Sequence, residues 1–247
     1  MAATAQGSRP GVLEETQVRA MFDRIAGLYD RMNGVMTAGM HHRWRRRTAE
    51  LAALPADGAA LDVATGTGDL ALELARRLGP ASEVIGVDFS PRMLELARRK
   101  AAAIAAELGP RVEFELANAL ELPYPDDHFD AATVGFGARN FSSLERGLSE
   151  MARVVKPGGR VVVLEITIPT RPPLSHFFSL WFDRAVPALG RLVGDPDAYS
   201  YLPNSVRRFP GPEQLAAAMS RCGLGQIRYL VTGGGIIAIH VGVVSGR

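Results

Sequence analysis

Apolar residues recur along this chain at two periods. Val18, Met21, Phe22, Ile25, Tyr29 and Met32 share one face at helical spacing, so 16–32 reads as an amphipathic helix. A second helix is expected over 40–54, carrying His41, His42, Arg43, Trp44, Arg45, Arg46 and Arg47, before Pro55 and Gly58 punctuate the chain. Short apolar runs and helical stretches then alternate. Strands are expected over 59–64, 83–88, 111–117, 129–135 and 160–166, with helices over 69–78, 91–108 and 142–155 between them. Ser90 suits an N-cap and Pro91 the first helical position. Lys156-Pro157-Gly158-Gly159 makes a turn into the fifth strand. This βαβα order implies a parallel sheet covered on both faces.

The last third changes character. Leu174, Phe177, Phe178, Trp181 and Ala185 form a helical apolar stripe opposite Ser175, Ser179 and Asp183. The Pro-, Gly- and Tyr-rich stretch 187–212 follows, so 167–212 reads as an insertion or lid over the sheet edge. A helix over 213–222 precedes two strands, 226–232 and 236–244, joined by Gly233-Gly234-Gly235 as a hairpin turn. The fold class expected is Rossmann-like α/β: a mostly parallel seven-stranded sheet with a C-terminal antiparallel hairpin and helices on both faces. One domain is expected over 16–247, with N-terminal helices in 16–54 and a disordered tail over 1–15.

Composition narrows the classes. At 247 residues the chain can bury one large core, and a net charge of +2 makes the whole surface a poor polyanion binder. No basic stripe runs with aromatics across the sheet, so a nucleic-acid partner is not expected. The single cysteine, Cys222, cannot form an internal disulfide, and no run of about 18 apolar residues is present to span a membrane. A cytoplasmic location is the expectation.

Two motifs carry chemistry. Leu61-Asp62-Val63-Ala64-Thr65-Gly66-Thr67-Gly68-Asp69 follows the first strand and opens a helix. Its glycines permit a tight turn and close backbone approach, and N–H groups at the helix start attract a negative group. Asp88 ends the second strand, about 20 residues further on, where an acid accepts hydrogen bonds from two ribose hydroxyls. Both motifs also suit an NAD(P)-dependent oxidoreductase; Ala71 stands where a third glycine often helps the helix pack, and the looser pattern allows it. No Tyr-x-x-x-Lys pair supports that alternative.

Asn118-Ala119 after the third strand, Leu122-Pro123-Tyr124-Pro125-Asp126-Asp127-His128-Phe129-Asp130 before the fourth and Lys156-Pro157-Gly158-Gly159-Arg160 before the fifth complete a set. That set resembles the class I S-adenosylmethionine-dependent methyltransferases. The resemblance extends to residues 22–33, to Gly135-Phe136-Gly137-Ala138-Arg139-Asn140, to 201–210 and to Thr232–His240. Together these are similar to the demethylmenaquinone and ubiquinone C-methyltransferase family. The resemblance implies S-adenosyl-L-methionine as methyl donor and a polyprenylated quinol as partner, methylated at a ring carbon. It implies Gly66, Thr67, Gly68, Asp88, Asn118 and Ala119 at the donor. Gly135 stands where the family often has serine, so a hydroxyl contact there is missing. Demethylmenaquinol is the expected acceptor, because an arginine-rich, lysine-poor chain fits a high-GC bacterium, where menaquinone is common. The ubiquinone benzoquinol, or another small molecule, is the alternative, and a homo-oligomer is left open.

A ring carbon is a poor nucleophile until a neighbouring hydroxyl loses its proton, so a base within hydrogen-bond reach of the quinol is expected. The candidates are His240, Tyr29 and the pair Arg139-Asn140. Arg139 keeps its charge and would steady a quinolate oxygen, while Asn140 would orient a hydroxyl or a water. His240 titrates near neutral pH but lies in an apolar strand, where a structural role competes. Tyr29 sits on an apolar helix face, where packing competes. His41, His42 and His128 read as surface or loop residues. The Phe177/Phe178/Trp181 stripe and the first helix are candidates to line an entrance for the prenyl tail, against ordinary core packing. Arg43–Arg47 with Trp44 is a candidate for peripheral contact with anionic headgroups, against a solvated helix face.

Overall fold

The computed structural model describes residues 15–108, 111–185, 188 and 196–246. Seven strands form one sheet: β1 Ala59–Val63, β2 Glu83–Asp88, β3 Arg111–Leu116, β4 Phe129–Gly135, β5 Val155–Ile166, β6 Leu224–Thr232 and β7 Ile237–Val244. Their spatial order is β3-β2-β1-β4-β5-β7-β6. The first five are parallel, and β7 runs antiparallel between β5 and β6. The inner parallel strands are buried on both faces, which is why they read as continuous apolar runs rather than alternating ones.

Helices cover both faces. On one, α2 (Met40–Ala52), α3 (Asp69–Ala75) and α4 (Pro91–Ala103) pack Trp44, Leu70, Leu74 and Leu94 against the sheet. On the other, α5 (Leu144–Val154) and the helix Pro212–Arg221 bury Leu148, Met151, Leu215 and Met219. The expected N-cap holds: Ser90 Oγ accepts from the Met93 amide at 3.1 Å. Strand order reverses between β1 and β4, and at such a switch point the loops after two neighbouring strands part and leave a crevice.

A third layer lies over that crevice. It comprises α1 (Glu15–Thr37), α6 (Leu174–Leu180) and α7 (Pro196–Arg208); the helix Pro212–Arg221 is then α8. Val18 and Met21 of α1 pack with Tyr201 of α7, and Phe178 and Phe182 with Val206. Here the structure departs from the sequence reading: the stretch 187–212 holds a 13-residue helix with Pro203 inside it. Three tyrosine- and proline-punctuated turns hid the helical period. The first helix runs on to Thr37, and the third and fourth stop at Ala75 and Ala103. The tail expected over 1–15 lies outside the described residues except for Glu15, which opens α1. Gly233–Gly235 turns through three successive positive φ angles (62°, 70° and 98°), a path that favours glycine throughout.

Polar bonds pin α1 to the loops below it. Glu15 accepts from Asn118 Nδ2 at 2.9 Å, Asp23 from Ser90 Oγ at 2.5 Å and Asp30 from Thr67 Oγ1 at 2.6 Å. Lys100, one of only two lysines, reaches Asp30 at 2.5 Å and Asp69 at 2.6 Å. Because these groups are partly exposed, the ion pairs stabilise local closure more than the global fold. Lys100→Met is therefore expected to speed amide hydrogen exchange in α1 by about three- to tenfold while β1 and β4 keep their protection. Hydrogen-exchange mass spectrometry reads both segments at once.

Candidate active site

The crevice after β1 and β4 holds a cavity of about 880 Å³. Its floor is the loop Ala64–Gly68, where Gly66 (φ 57°) and Gly68 (φ 83°) turn the chain into α3. A side chain at Gly68 would meet Ala97 and the Phe114 ring at 2.9 Å, so the helix sits close because this position has none. Asp88 closes the far wall. Its carboxylate accepts from the Gly66 amide at 2.8 Å and the Ser90 amide at 2.9 Å. Burial pushes it up to about 6 despite those bonds, and Asp23 nearby adds to the rise. Thr67, Asn118 and Ala119 also line this cavity, with Gly135 and Asn140 opposite. The carboxyl beneath the loop, Asp62, takes hydrogen bonds from Thr65 at 2.6 Å and Thr133 at 2.7 Å, tying β1 to β4.

A second cavity, of about 1190 Å³, lies under the third layer. Met21, Ile25, Met32, Met36, Met40, Ile166, Trp181, Phe182, Leu202 and Ile236 make most of its wall apolar. Phe22, Tyr29 and Phe136 line both cavities and form the partition between them. Phe22 meets Tyr29 edge-on at 6.1 Å, and Trp44 meets Phe136 edge-on at 6.4 Å.

Phe136 sits at φ 60°, a costly conformation for an aromatic residue. It is held from both sides: its amide donates to the Leu164 carbonyl at 2.8 Å, and its carbonyl accepts from Arg139 Nη1 at 2.5 Å. The same Arg139 pairs with Glu165 at 2.6 Å, the two side chains being 8% and 2% exposed. Burial works against the Arg139 charge, but Glu165 outweighs it and holds the guanidinium above its ordinary value. Arg139 Nε is buried without a hydrogen-bond partner, in a side chain that lines the apolar cavity. Tyr201 donates to Asn140 Oδ1 at 3.1 Å, and burial raises the Tyr201 hydroxyl above its usual range although Arg139 opposes it.

Of the residues singled out in the sequence, Gly66, Thr67, Asp88, Asn118, Ala119 and Asn140 meet at the first cavity, Arg139 at the second and Tyr29 at both. Gly68 packs just behind the loop. His240 is not among them. It lies in the middle of β7, fully buried, with Nε2 2.9 Å from the Pro212 carbonyl and its ring stacked on Tyr229. Burial lowers its pKa, and it faces the sheet's α8 side, so a structural histidine is what the strand contains. The arginine run is likewise largely engaged. Trp44 and Arg45 are buried, Arg45 pairs with Asp69 at 2.7 Å, and Arg47 reaches Glu50 at 2.9 Å. In the aromatic stripe Trp181 lines the apolar cavity, Phe178 packs inside and Phe177 is exposed. His41, taken in the sequence for a surface residue, is buried and lines the apolar cavity; its neighbours His42 and Arg43 are the exposed ones.

Comparison with known proteins resolves the family. The model of the ubiE/COQ5 methyltransferase family matches residues 11–244. This chain belongs to that family. Its relatives include a demethylmenaquinone methyltransferase of Thermus thermophilus, 48% identical over 90% of this chain and 99% of the relative. One from Deinococcus radiodurans is 46% identical over 91% of each chain. The ubiquinone/menaquinone biosynthesis C-methyltransferase of Hahella chejuensis is 37% identical over 95% of this chain and 94% of its own. Among solved structures, the [4+2]-cyclase SpnF superposes with a TM-score of 0.70 at 21% identity, covering 96% of this chain and 98% of that one. A possible histamine N-methyltransferase of Thermotoga maritima gives 0.60 at 21%, covering 91% and 98%. These structural likenesses extend to the fold alone.

Within the family member described here, the Arg139–Glu165 pair is the costliest feature to disturb. Glu165→Gln would leave the guanidinium charged and buried beside a neutral amide. A loss of about 3–5 kcal/mol in unfolding free energy is expected, read from the urea midpoint.

Proposed function

We propose that this chain is an S-adenosylmethionine-dependent C-methyltransferase that methylates a polyprenylated quinol ring, with demethylmenaquinol as its acceptor. The observation that carries this reading is the pair of joined cavities, one polar around Asp88 and the Gly66 loop, the other apolar except for a few placed groups. Relatives named for demethylmenaquinone support the naphthoquinol over the benzoquinol, since several of them reach 43–48% identity.

The first cavity fits the donor. At Gly66 nothing lies within 4 Å of where a side chain would project, so the loop backbone is open to a ligand. Asp88 already holds two amides and has the acceptor capacity for ribose hydroxyls, while Asn118 and Ala119 lie where the base would rest. S-adenosylmethionine supplies a methyl group on a positively charged sulfur, an electrophile that needs little activation. The protein's share is to hold the acceptor carbon in line and keep water out. Phe22, Tyr29 and Phe136 form the boundary across which the two reactants face each other. In the apolar cavity the Met, Ile and Leu side chains accept the ring and the start of a prenyl tail. Arg139 gives a fixed positive charge for the oxygen that turns anionic as the ring reacts, and Glu165 keeps that charge from moving. Peripheral membrane contact remains a proposal suited to a greasy acceptor. Exposed Val35, Met40, Phe177 and Leu180 fit it better than the arginine run.

Donor binding has a pH signature. Hydrogen-bond donors favour the ionised carboxylate of Asp88, so affinity should be constant well above pH 6 and weaken about tenfold per unit below it. Calorimetric titration from pH 5 to 8 should show this dependence, and Asp88→Ala should bind weakly and lose it. Label from methyl-labelled donor should move to a reduced, demethylated naphthoquinol. Arg139→Gln should lower kcat by about 10²–10³, measured where circular dichroism shows the variant folded. Label found on no quinol would overturn the proposal.

A further inference from the structure

The proposed reaction needs a group to take a proton from the quinol, and His240 lies elsewhere. The polar groups lining the apolar cavity can be followed one by one. Ser205 Oγ donates to the Leu202 carbonyl at 2.9 Å, Tyr201 donates to Asn140, and Arg139 Nη1 donates to both Glu165 and the Phe136 carbonyl. Among the described residues lining it, this leaves Arg139 Nε and Nη2, the Tyr29 hydroxyl, the Asn33 side-chain amide and His41 Nε2 with no hydrogen bond to the protein. A guanidinium has no lone pair to offer and an amide is not basic. His41 is different.

The tautomer of His41 follows from its neighbour. Thr37 Oγ1 lies 2.7 Å from the Asn33 carbonyl, to which it donates, and 2.7 Å from His41 Nδ1. A threonine hydroxyl has one proton, and the carbonyl takes it, so Thr37 is the acceptor toward the ring. His41 therefore carries its proton on Nδ1. The ring is also neutral: burial, then Arg45 and His42 beside it, lower it to about 4 against the opposing pull of Asp69 and Asp30. Nε2 is left with its lone pair and no protein partner, on a ring that lines the largely apolar cavity, an arrangement that the hydrogen bond at Nδ1 fixes.

We propose that His41 is the catalytic base of this site, its Nε2 accepting the proton of a quinol hydroxyl as the ring carbon takes the methyl group. The step rests on the quinol reading above. The O–H bond breaks and Nε2–H forms; the oxygen's electron pair enters the ring, whose carbon forms the new C–C bond as the S–C bond breaks and its pair stays on sulfur. The neutral methylated dienone then loses its ring proton to water while Nε2 returns a proton to the oxygen, restoring the aromatic quinol. One proton is released overall, matching the charge lost by the sulfonium. Arg139 steadies the oxygen charge at its own end of the chamber; His41 supplies what an arginine cannot.

The test uses the full-length protein, labelled donor and a short-tailed demethylated naphthoquinol kept reduced. His41→Gln and His41→Ala should fold, by circular dichroism, and bind the donor within twofold of the parent. Their kcat should fall by about 10²–10⁴ with quinol KM changed less than about threefold, and added imidazole should restore part of the His41→Ala rate. Thr37→Val, which removes the group that fixes the tautomer, should lower kcat by roughly tenfold. If the parent turns over and His41→Gln matches its kcat, this proposal alone is overturned. A variant that binds donor but responds only in KM, with no imidazole rescue, also overturns it. A parent that binds donor yet methylates no quinol overturns the functional reading and this proposal with it.

Discussion

The buried pair of Arg139 and Glu165 joins the ends of β4 and β5 at the partition between the two cavities. Two charges this far from water are expensive, and they persist only where geometry and extra hydrogen bonds satisfy them. Glu165 meets that condition by taking the Arg139 side chain at 2.6 Å and the amides of Arg139 and Ile166 at 3.2 and 2.9 Å. Arg139 meets it by reaching back to the Phe136 carbonyl. The ends of β4 and β5 are thereby locked together through one side-chain pair, and Phe136 is held at a backbone angle it would otherwise leave. Relax the pair, and the aromatic partition between the two cavities loses its rigid support.

A second constraint works from above. The acids that fasten α1, at positions 15, 23 and 30, fall seven or eight residues apart and so project toward one side of the helix. Their partners, Asn118, Ser90 and Thr67, all belong to loops of the polar cavity. The helix that roofs the apolar chamber is thus tied to the groups expected to hold the donor. Filling one cavity must bear on the closure of the other, because Thr67 and Asn118 cannot give the same bonds to both α1 and a ligand.

The sheet and its polar cavity were legible in the sequence because each rested on a local rule. The inner parallel strands give continuous apolar runs while the edge strand β3 alternates, and a strand, a glycine loop and an acid at the next strand end give the crevice after β1. The apolar chamber was not legible in the same way. Its walls come from α1, α2, the turn Trp181–Ala185 after α6, α7, the ends of β4 and β5 and the start of β7, segments far apart in the chain, and no short motif marks a cavity that only packing creates. His41 shows the difficulty. In a row of polar residues, Met40-His41-His42-Arg43, nothing local says which histidine turns inward. One signal was available: in a helix Trp44 and Thr48 share a face with His41, and both are buried. His240 misled for the opposite reason. An apolar strand with one titratable group invites a functional reading, yet that strand is paired on both sides, by β5 and β6, and its α8 face is covered, away from both cavities.

The division between sheet and roof also explains why fold alone says little here. SpnF shares the architecture across nearly the whole chain at 21% identity, yet it is named a cyclase. The switch point between β1 and β4 fixes only the polar cavity. What is done there depends on the partition and the chamber beyond it, whose roof comes from α1, α7 and the turn Trp181–Ala185. These three segments supply no residue to the two large buried clusters that flank the strands, so they can change at little cost to the core, whereas α2 is anchored in one cluster through Trp44, Ala49 and Ala52. Under the proposed reading, substrate choice therefore rests on α1, α2, α7 and the turn Trp181–Ala185, and on the few polar residues that line the apolar space: His41, Tyr29 and, from the sheet below, Arg139.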